Sequence, residues 1–515
     1  MSSTDSFKPS GLYRRQNPPS LYTSGDPQPI LVGDTYHLLN LAGPADTFDI
    51  NERVFCHWPH YRSKDLVNWT LDKEPAFVPS TNPDDPDVGG VWAGCVITGP
   101  DGNMHVFYAG HSEAQEQPQC VVHAVSDDPH GNKFTKLGVI NISEKTKGNL
   151  LKTYEMKDFR DPFVFYNEEE KKWWMLVSAR LNKGPKWTRG ALALLTSEDF
   201  KTWDVEEEPL YAPNDVHVPE CPELFKLGEK WYLIYARYIA PEAGAAYLIA
   251  DSPRGPFRHP PGGRYLDGRR WYAAKSCPKA GDDTKRIVFG WIGDRRKEDS
   301  VWQWGGDTAA PRELWVGPDL SLRMGPCMEV LNGMFEQTPA YEVKSTVVKR
   351  LGGMEAKFLE YPSTAAEKGQ LVTFQAKPAP TTTGYGLLLR CDEDWSGYWL
   401  NFFPRRREGD ITYHNITLTM SPFTLDDWTG DHHDYTRREI DGTDFIRLED
   451  VPIKDGETGR LVLLDDMIEF FIGGRALTFR WGWSKYERDN ADAPLGVFVQ
   501  DGEVEFENFR VFKGY

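Results

Sequence analysis

Three acidic side chains stand just before a proline, two of them directly and one a residue earlier: Asp26 in Gly25-Asp26-Pro27, Asp161 in Arg160-Asp161-Pro162, and Glu220 in Glu220-Cys221-Pro222. Proline lacks a backbone donor, so none of these segments is a good strand interior, and each lies where an apolar or aromatic run meets a turn signal. The acids are expected at strand ends, where side chains from distant parts of the chain can converge on a pocket. Carboxyl groups gathered in this way suit glycosidic bond cleavage. One carboxylic acid protonates the leaving oxygen, and one carboxylate attacks the anomeric carbon or activates water. Taken singly, an Asp before Pro is a common turn element. Glu220 is harder to dismiss, because it opens toward Leu224-Phe225 as neither a good cap nor an obvious surface residue, and apolar neighbours around it would suit a general acid. His57, His60 and His217 are alternative bases, although a His beside aromatics is more often structural. Trp58, Trp92 and Trp304 are expected as pocket walls, with Tyr272 of Trp271-Tyr-Ala-Ala-Lys275 approaching the same space.

The elements that must position these groups are short strands. Aromatic residues make up 13% of the chain, and together with 46 Gly and 37 Pro they indicate many short strands joined by tight turns, an all-β protein. A loose repeat runs from about residue 20 to 335: an apolar strand, a turn, an aromatic strand, then a Ser-acidic segment closing on an aromatic. Ser63-Lys-Asp-Leu-Val-Asn-Trp69 and Ser197-Glu-Asp-Phe-Lys-Thr-Trp203 are its clearest copies, and Ser126-Asp-Asp-Pro and Asp251-Ser-Pro-Arg-Gly-Pro-Phe257 look like degraded ones. Repeated strand clusters at this spacing predict propeller blades, with positions 26, 161 and 220 on the channel-facing strands of three successive blades. From about 317 to 342 the pattern dissolves into a linker. Residues 343–515 then read as a β-sandwich with hairpin turns at Leu464-Asp-Asp-Met467 and Phe471-Ile-Gly-Gly474, ending in separate strands over Leu495–Gln500 and Glu503–Phe512.

Composition excludes several classes of function. A net charge of −18 and a pI near 5.2 leave no basic face for nucleic acid or an anionic membrane, so an uncharged small molecule such as a sugar is the expected partner, and homo-oligomers are compatible with this reading. Seven Cys at irregular spacing form no CxxC pair and suggest free thiols rather than a disulfide or metal framework. No cofactor or metal is required by carboxylate chemistry. The opening Met-Ser-Ser-Thr-Asp-Ser lacks a secretory pattern and no stretch is long and apolar enough to span a membrane, which predicts a cytoplasmic protein as written, or a secreted one if a signal has been removed.

Gly25-Asp26-Pro27-Gln28-Pro29 with Tyr36-His37-Leu38, then Arg160-Asp161-Pro162 and Glu220-Cys221-Pro222, resemble in order and spacing the three motifs of glycoside hydrolase family 32, which holds invertases, inulinases, levanases and fructosyltransferases. Trp58-Pro-His60, Trp92-Ala-Gly-Cys95, Arg286-Ile-Val-Phe-Gly-Trp291 and Ala310-Pro-Arg-Glu-Leu314 are similar to further stretches of it. The resemblance implies a five-bladed propeller over 20–335 followed by a β-sandwich over 343–515, and a retaining mechanism that releases terminal β-D-fructofuranosyl residues from sucrose or fructans. By the same resemblance Asp26 is the nucleophile, Glu220 the acid and then base, and Asp161 the transition-state stabiliser beside Arg160, and Arg160 and Cys221 are expected among the substrate-binding residues. Retention places nucleophile and acid about 5 to 5.5 Å apart. The first motif departs from the family's Trp-Met-Asn-Asp-Pro-Asn-Gly, since Gly25 and Gln28-Pro29 replace side chains expected to face the sugar. Transfer of the fructosyl group to a sugar, inversion as in arabinofuranosidase-like propellers, and a catalytically inactive sugar-binding protein are the alternatives. The family's Cys-Pro after the acid, where arabinofuranosidase-like enzymes usually carry Gly-Pro, weighs against inversion.

Overall fold

The structure is a computed structural model that describes residues 6–7, 22–114, 117–238, 244–268, 270–295, 302–362, 369–421, 445–464, 467–480 and 493–515. The predicted turn at 464–467 includes residues 465 and 466, which lie outside the described residues, as do most of the first twenty.

Five sheets of three to five strands, antiparallel except where Asn141–Ile142 pairs in parallel with Thr202–Val205, form a five-bladed β-propeller. Its inner strands are Pro27–Val32, Gly90–Thr98, Tyr154–Asn167, Glu220–Leu227 and Trp271–Lys279, each in contact with the next and the last with the first, so the ring closes. Closure leaves the inner edges facing one central channel. The Ser-acidic repeat is the turn that leads from the third strand to the fourth. Ser63 and Ser197 hydrogen-bond Asp65 and Asp199, each of which accepts backbone N–H groups from the residues two and three places on. Leu66 and Phe200 occupy the same left-handed position in the two copies (φ 63° and 62°), and Trp69 and Trp203 are buried behind them. The repeat is therefore a structural fastening of the blade. The fourth blade lacks a full outer strand and closes with bridges from Arg258 and Tyr265 instead.

The segment 317–342 is more ordered than the expected linker. Leu322–Pro326 pairs with Arg312–Val316 as the outer strand of the fifth blade, and the helix Met328–Met334 buries Val330, Leu331 and Met334 against the propeller core. Beyond it lies a large β-sheet region in which the strand Pro494–Lys513 runs unbroken where two strands were expected. Its first part pairs with Glu355–Pro362 and Gly384–Leu389, its second with Tyr341–Arg350 and Gln370–Pro378. The chain passes from one layer to the other near Gly502, whose φ of +121° a residue with a Cβ rarely adopts. Phe374, Phe402, Phe470 and Phe506 fill the core between the layers. All seven cysteines are buried thiols, and no described helix is long and apolar enough to cross a membrane.

The propeller and the sheet region meet through buried arginines. Arg312 of the fifth blade donates to Asp267 at 2.6 Å and to the Thr478 hydroxyl, while Asp267 also accepts the Thr478 N–H at 2.8 Å. Glu469 stands 3.5 Å from the same guanidinium. Arg480 reaches back to Gly293 and Asp307, and Arg475 to the Leu322 carbonyl. Two carboxylates are thus taken out of water around one cation. Replacing Arg312 with Ala leaves both uncompensated and is expected to lower stability by about 3–5 kcal/mol, read from the shift in urea midpoint. A loss below about 1 kcal/mol would show that this cluster does not hold the two parts together.

Candidate active site

The inner strands share one local device. Register slips by extra residues between Val91 and Gly94, Arg160 and Phe163, Glu220 and Glu223, and Tyr272 and Lys275, at the same end of four inner strands. In three of these bulges a non-glycine residue takes a left-handed backbone: Asp161 (φ 52°), Cys221 (φ 48°) and Ala273 (φ 50°). A bulge bends its strand and re-aims the side chains beside it. Proline at 162 and 222 fits there because the ladder is already interrupted. The outcome is a cavity of about 600 Å³ lined by Asp26, Asp161, Glu220, Arg160, Cys221 and Tyr272, among others.

The three acids converge, but on the first, third and fourth blades rather than on successive ones. The second blade supplies Trp92 and Ala93 to the cavity in place of an acid, which is why Asp26 and Asp161 are so far apart in sequence. Asp26 is buried, and its Oδ1 accepts a 2.8 Å bond from Trp291 Nε1. Burial, then the charges of Asp161 and Glu220, push its pKa up to about 7 against the pull of that bond. Asp161 accepts the Cys221 N–H at 3.1 Å, and burial carries its pKa upward despite the nearby Arg160.

Glu220 does not have the apolar surroundings expected of it. Its Oε1 accepts from Arg160 at 2.7 Å and its Oε2 from the Tyr272 hydroxyl. Arg160 also differs from expectation: it lies 3.8 Å from Asp161 but donates at 2.6 Å to Asp158, at 3.1 Å to Gln119 and to Glu220, so its main service is to the acid of the fourth blade. Trp92 lines the cavity, stacked on His111 at 4.1 Å. Trp58 does not. It is fully buried between Phe77 and Tyr108, bonded to the Val91 carbonyl, because its ring points into the packing of the first and second blades. His60 is likewise buried, bonded to His37 and Asp72, while His57 packs edge-on against Tyr22.

Trp304 explains the altered first motif. A Cβ on Gly25 would lie 2.8 Å from Trp304 Cζ2, so the indole occupies the space that an Asn at position 25 would need. The ring is fixed from behind by Arg53, fully buried, which donates at 2.7 Å to the Trp304 carbonyl and at 3.0 Å to Asp294. Gln28 turns away and donates to the Asp26 carbonyl at 3.3 Å. Trp291 stands between Tyr272 and Trp304, with centroids at 5.6 and 5.7 Å, so an aromatic wall encloses both Asp26 and Glu220. Trp291, Gln119 and Asp158 escaped the sequence reading. Trp291 closes a motif already noted there, and a donor paired with a buried acid is the signal that would have found it.

The chain matches the profile of the glycosyl hydrolases family 32 N-terminal domain over residues 17–326, more than half of its length. Among curated proteins it is 29% identical to a fructan 1-exohydrolase of Triticum urartu over 51% of this chain and 45% of that one. It is 23% identical to an insoluble beta-fructofuranosidase isoenzyme of Arabidopsis thaliana over 90% of this chain and 82% of that one. The chain spans about half the length of the first curated relatives it matches. In structure it superposes on fructan 1-exohydrolase IIa of Cichorium intybus with a TM-score of 0.67 at 17% identity, covering 96% and 97% of the two chains. An exo-inulinase of Aspergillus awamori gives 0.67 at 19% identity, covering 99% of both. At these identities the superpositions speak to the fold.

The raised pKa of Asp26 has a stability consequence. Below about pH 4 folded and unfolded chains both keep its proton; between there and about pH 7 only the folded chain does, so stability falls as pH rises across that window. Asp26→Asn removes the effect. Its unfolding free energy, read from the urea midpoint, is expected to match that of the parent chain near pH 4 and to exceed it above pH 7 by an amount on the order of 1–4 kcal/mol. A pH-independent difference would place the burial cost elsewhere. Gly25→Asn is expected to destabilise by about 1–3 kcal/mol through the Trp304 contact, and Trp304→Ala in the same chain to relieve that specific clash, measured in a double-mutant cycle.

Proposed function

This chain belongs to glycosyl hydrolase family 32, and we propose that it releases terminal β-D-fructofuranosyl residues from sucrose or fructans through a covalent fructosyl-enzyme. The observation that carries this reading is the gathering of Asp26, Asp161 and Glu220 around one cavity, each with a different set of partners. Trp291 engages one oxygen of Asp26, leaving Oδ2 to attack the anomeric carbon as the glycosidic oxygen takes a proton from Glu220. The glycosidic bond breaks and an ester to Asp26 forms. Glu220, now a carboxylate, removes a proton from water, the water oxygen attacks the same carbon, and the ester opens with retention. Tyr272 and Arg160 orient Glu220 for both proton transfers. Asp161, fixed by the Cys221 N–H, accepts from fructosyl hydroxyls as charge develops on the ring.

The curated relatives carry exohydrolase and fructofuranosidase names, which supports water as the acceptor. A small, uncharged sugar also suits a cavity whose wall is Trp92, Trp291, Trp304 and Tyr272. Asp26→Ala and Glu220→Ala are each expected to lower kcat on sucrose, inulin or levan by about three orders of magnitude or more while leaving the melting curve cooperative. An NMR time course should show the β-anomer of fructose as the first product. Release of the inverted anomer, or near-normal turnover by either variant, would overturn the assignment.

A further inference from the structure

Beyond the cavity, on the side of the third and fourth blades, a line of rings leads outward. Tyr238 lines the cavity and is 43% exposed; its hydroxyl is hydrogen-bonded to His217 Nδ1, and the two rings meet edge-on at 5.7 Å. His217 in turn faces Trp187, with centroids 6.0 Å apart at 34°. Trp187 is 68% exposed, with Lys186 Nζ 5.8 Å from its ring centroid. One exposed Trp is unremarkable on a protein surface. The bracing of this one is not. Arg180, 4% exposed, donates at 2.5 Å to the Lys186 carbonyl and at 3.1 Å to the His217 carbonyl, while its Nε is bonded to Glu155 at 2.9 Å. A single buried guanidinium therefore fixes both the Trp187 loop and the His217 segment, so the ring is offered to solvent at little entropic loss on binding.

The direction of this line follows from the chemistry. Glu220 is the proton donor to the leaving oxygen under the function proposed above, so the part of the substrate that departs must lie beside it. Tyr238 and His217 are the neighbours on that side, both within reach of the charge of Glu220. The sugar units attached to the leaving oxygen thus pass over Tyr238 and His217 toward Trp187. Aromatic faces and a neutral imidazole suit the apolar faces and hydroxyls of an uncharged chain.

We propose that Trp187, with His217 and Tyr238, forms a binding platform for the leaving-side units of an oligosaccharide, and sets a preference for substrates longer than a disaccharide. The inference rests on the glycosidase reading for its direction, but binding at Trp187 can be measured without turnover.

In kinetics on inulin-type oligomers of two to five units, Trp187→Ala is expected to lower kcat/KM by at most about twofold for the disaccharide and by about five- to tenfold for the tetramer and pentamer. Trp187→Phe is expected to recover most of the loss. In parallel, the Asp26→Asn chain is titrated with the same oligomers and with arabino- and xylo-oligosaccharides by calorimetry, with and without Trp187→Ala. A length-dependent loss of affinity supports the platform even if no fructoside is hydrolysed, in which case the proposed function fails and the platform stands. A loss equal at all lengths, no loss at all, or no binding of any oligomer would overturn it.

Discussion

Arg160 is the interaction on which the site depends. Four carboxylates, Asp26, Asp158, Asp161 and Glu220, face one cavity, and burying that much like charge without a compensating cation is strongly unfavourable. The Arg160 guanidinium answers Asp158 and Glu220 directly and reaches Gln119 as well, so one side chain ties together the second, third and fourth blades where they border the channel. What it does not neutralise is informative. Asp161 keeps a raised pKa because burial there outweighs the cation, and Asp26 keeps one because it is buried and crowded by the other two acids. The fold tolerates that cost at the position to which the proposed mechanism assigns the nucleophile.

The backbone makes this crowding possible. A regular inner strand would alternate its side chains across the blade and send only some of them to the channel. Bulges at the same end of four inner strands, three with a residue in the left-handed region, turn Arg160, Asp161, Glu220, Cys221 and Tyr272 inward together. Each such non-glycine conformation costs on the order of 1 kcal/mol, and such strain persists only where surrounding packing over-determines it. The closed ring of inner strands supplies that packing.

Much of this was legible in the residue order. The acidic segments before proline marked interruptions of the inner strands because proline cannot serve a ladder, although at Asp161 the interruption is a bulge inside the strand Tyr154–Asn167 and not the strand end expected, and the Ser-acidic-aromatic repeat marked blade turns because Asp65 and Asp199 build the same hydrogen-bonded loop. What could not be read were features set by contacts distant in sequence. Trp58 and Trp304 look alike in the chain, yet one fills a core and the other a cavity wall, since only the second is gripped by Arg53. Arg160 stands next to Asp161 in sequence but serves Glu220, because the bulge turns adjacent side chains apart. Turn residues around 317–342 suggested a linker, although Val330 and Leu331 carry enough apolar surface to dock a short helix.

The strand Pro494–Lys513 belongs to both layers of the sheet region, giving each of them two of its pairings. During vectorial synthesis neither layer can complete its hydrogen bonding until that strand has left the ribosome, whereas every strand of the propeller precedes it and can close into a ring beforehand. The half-formed layers would meanwhile expose long unpaired edges, the condition under which strands pair with the wrong neighbour. The order of emergence makes the propeller a folded base against which the late layers dock, and it makes the interval before residue 494 appears the most vulnerable period in the life of the chain.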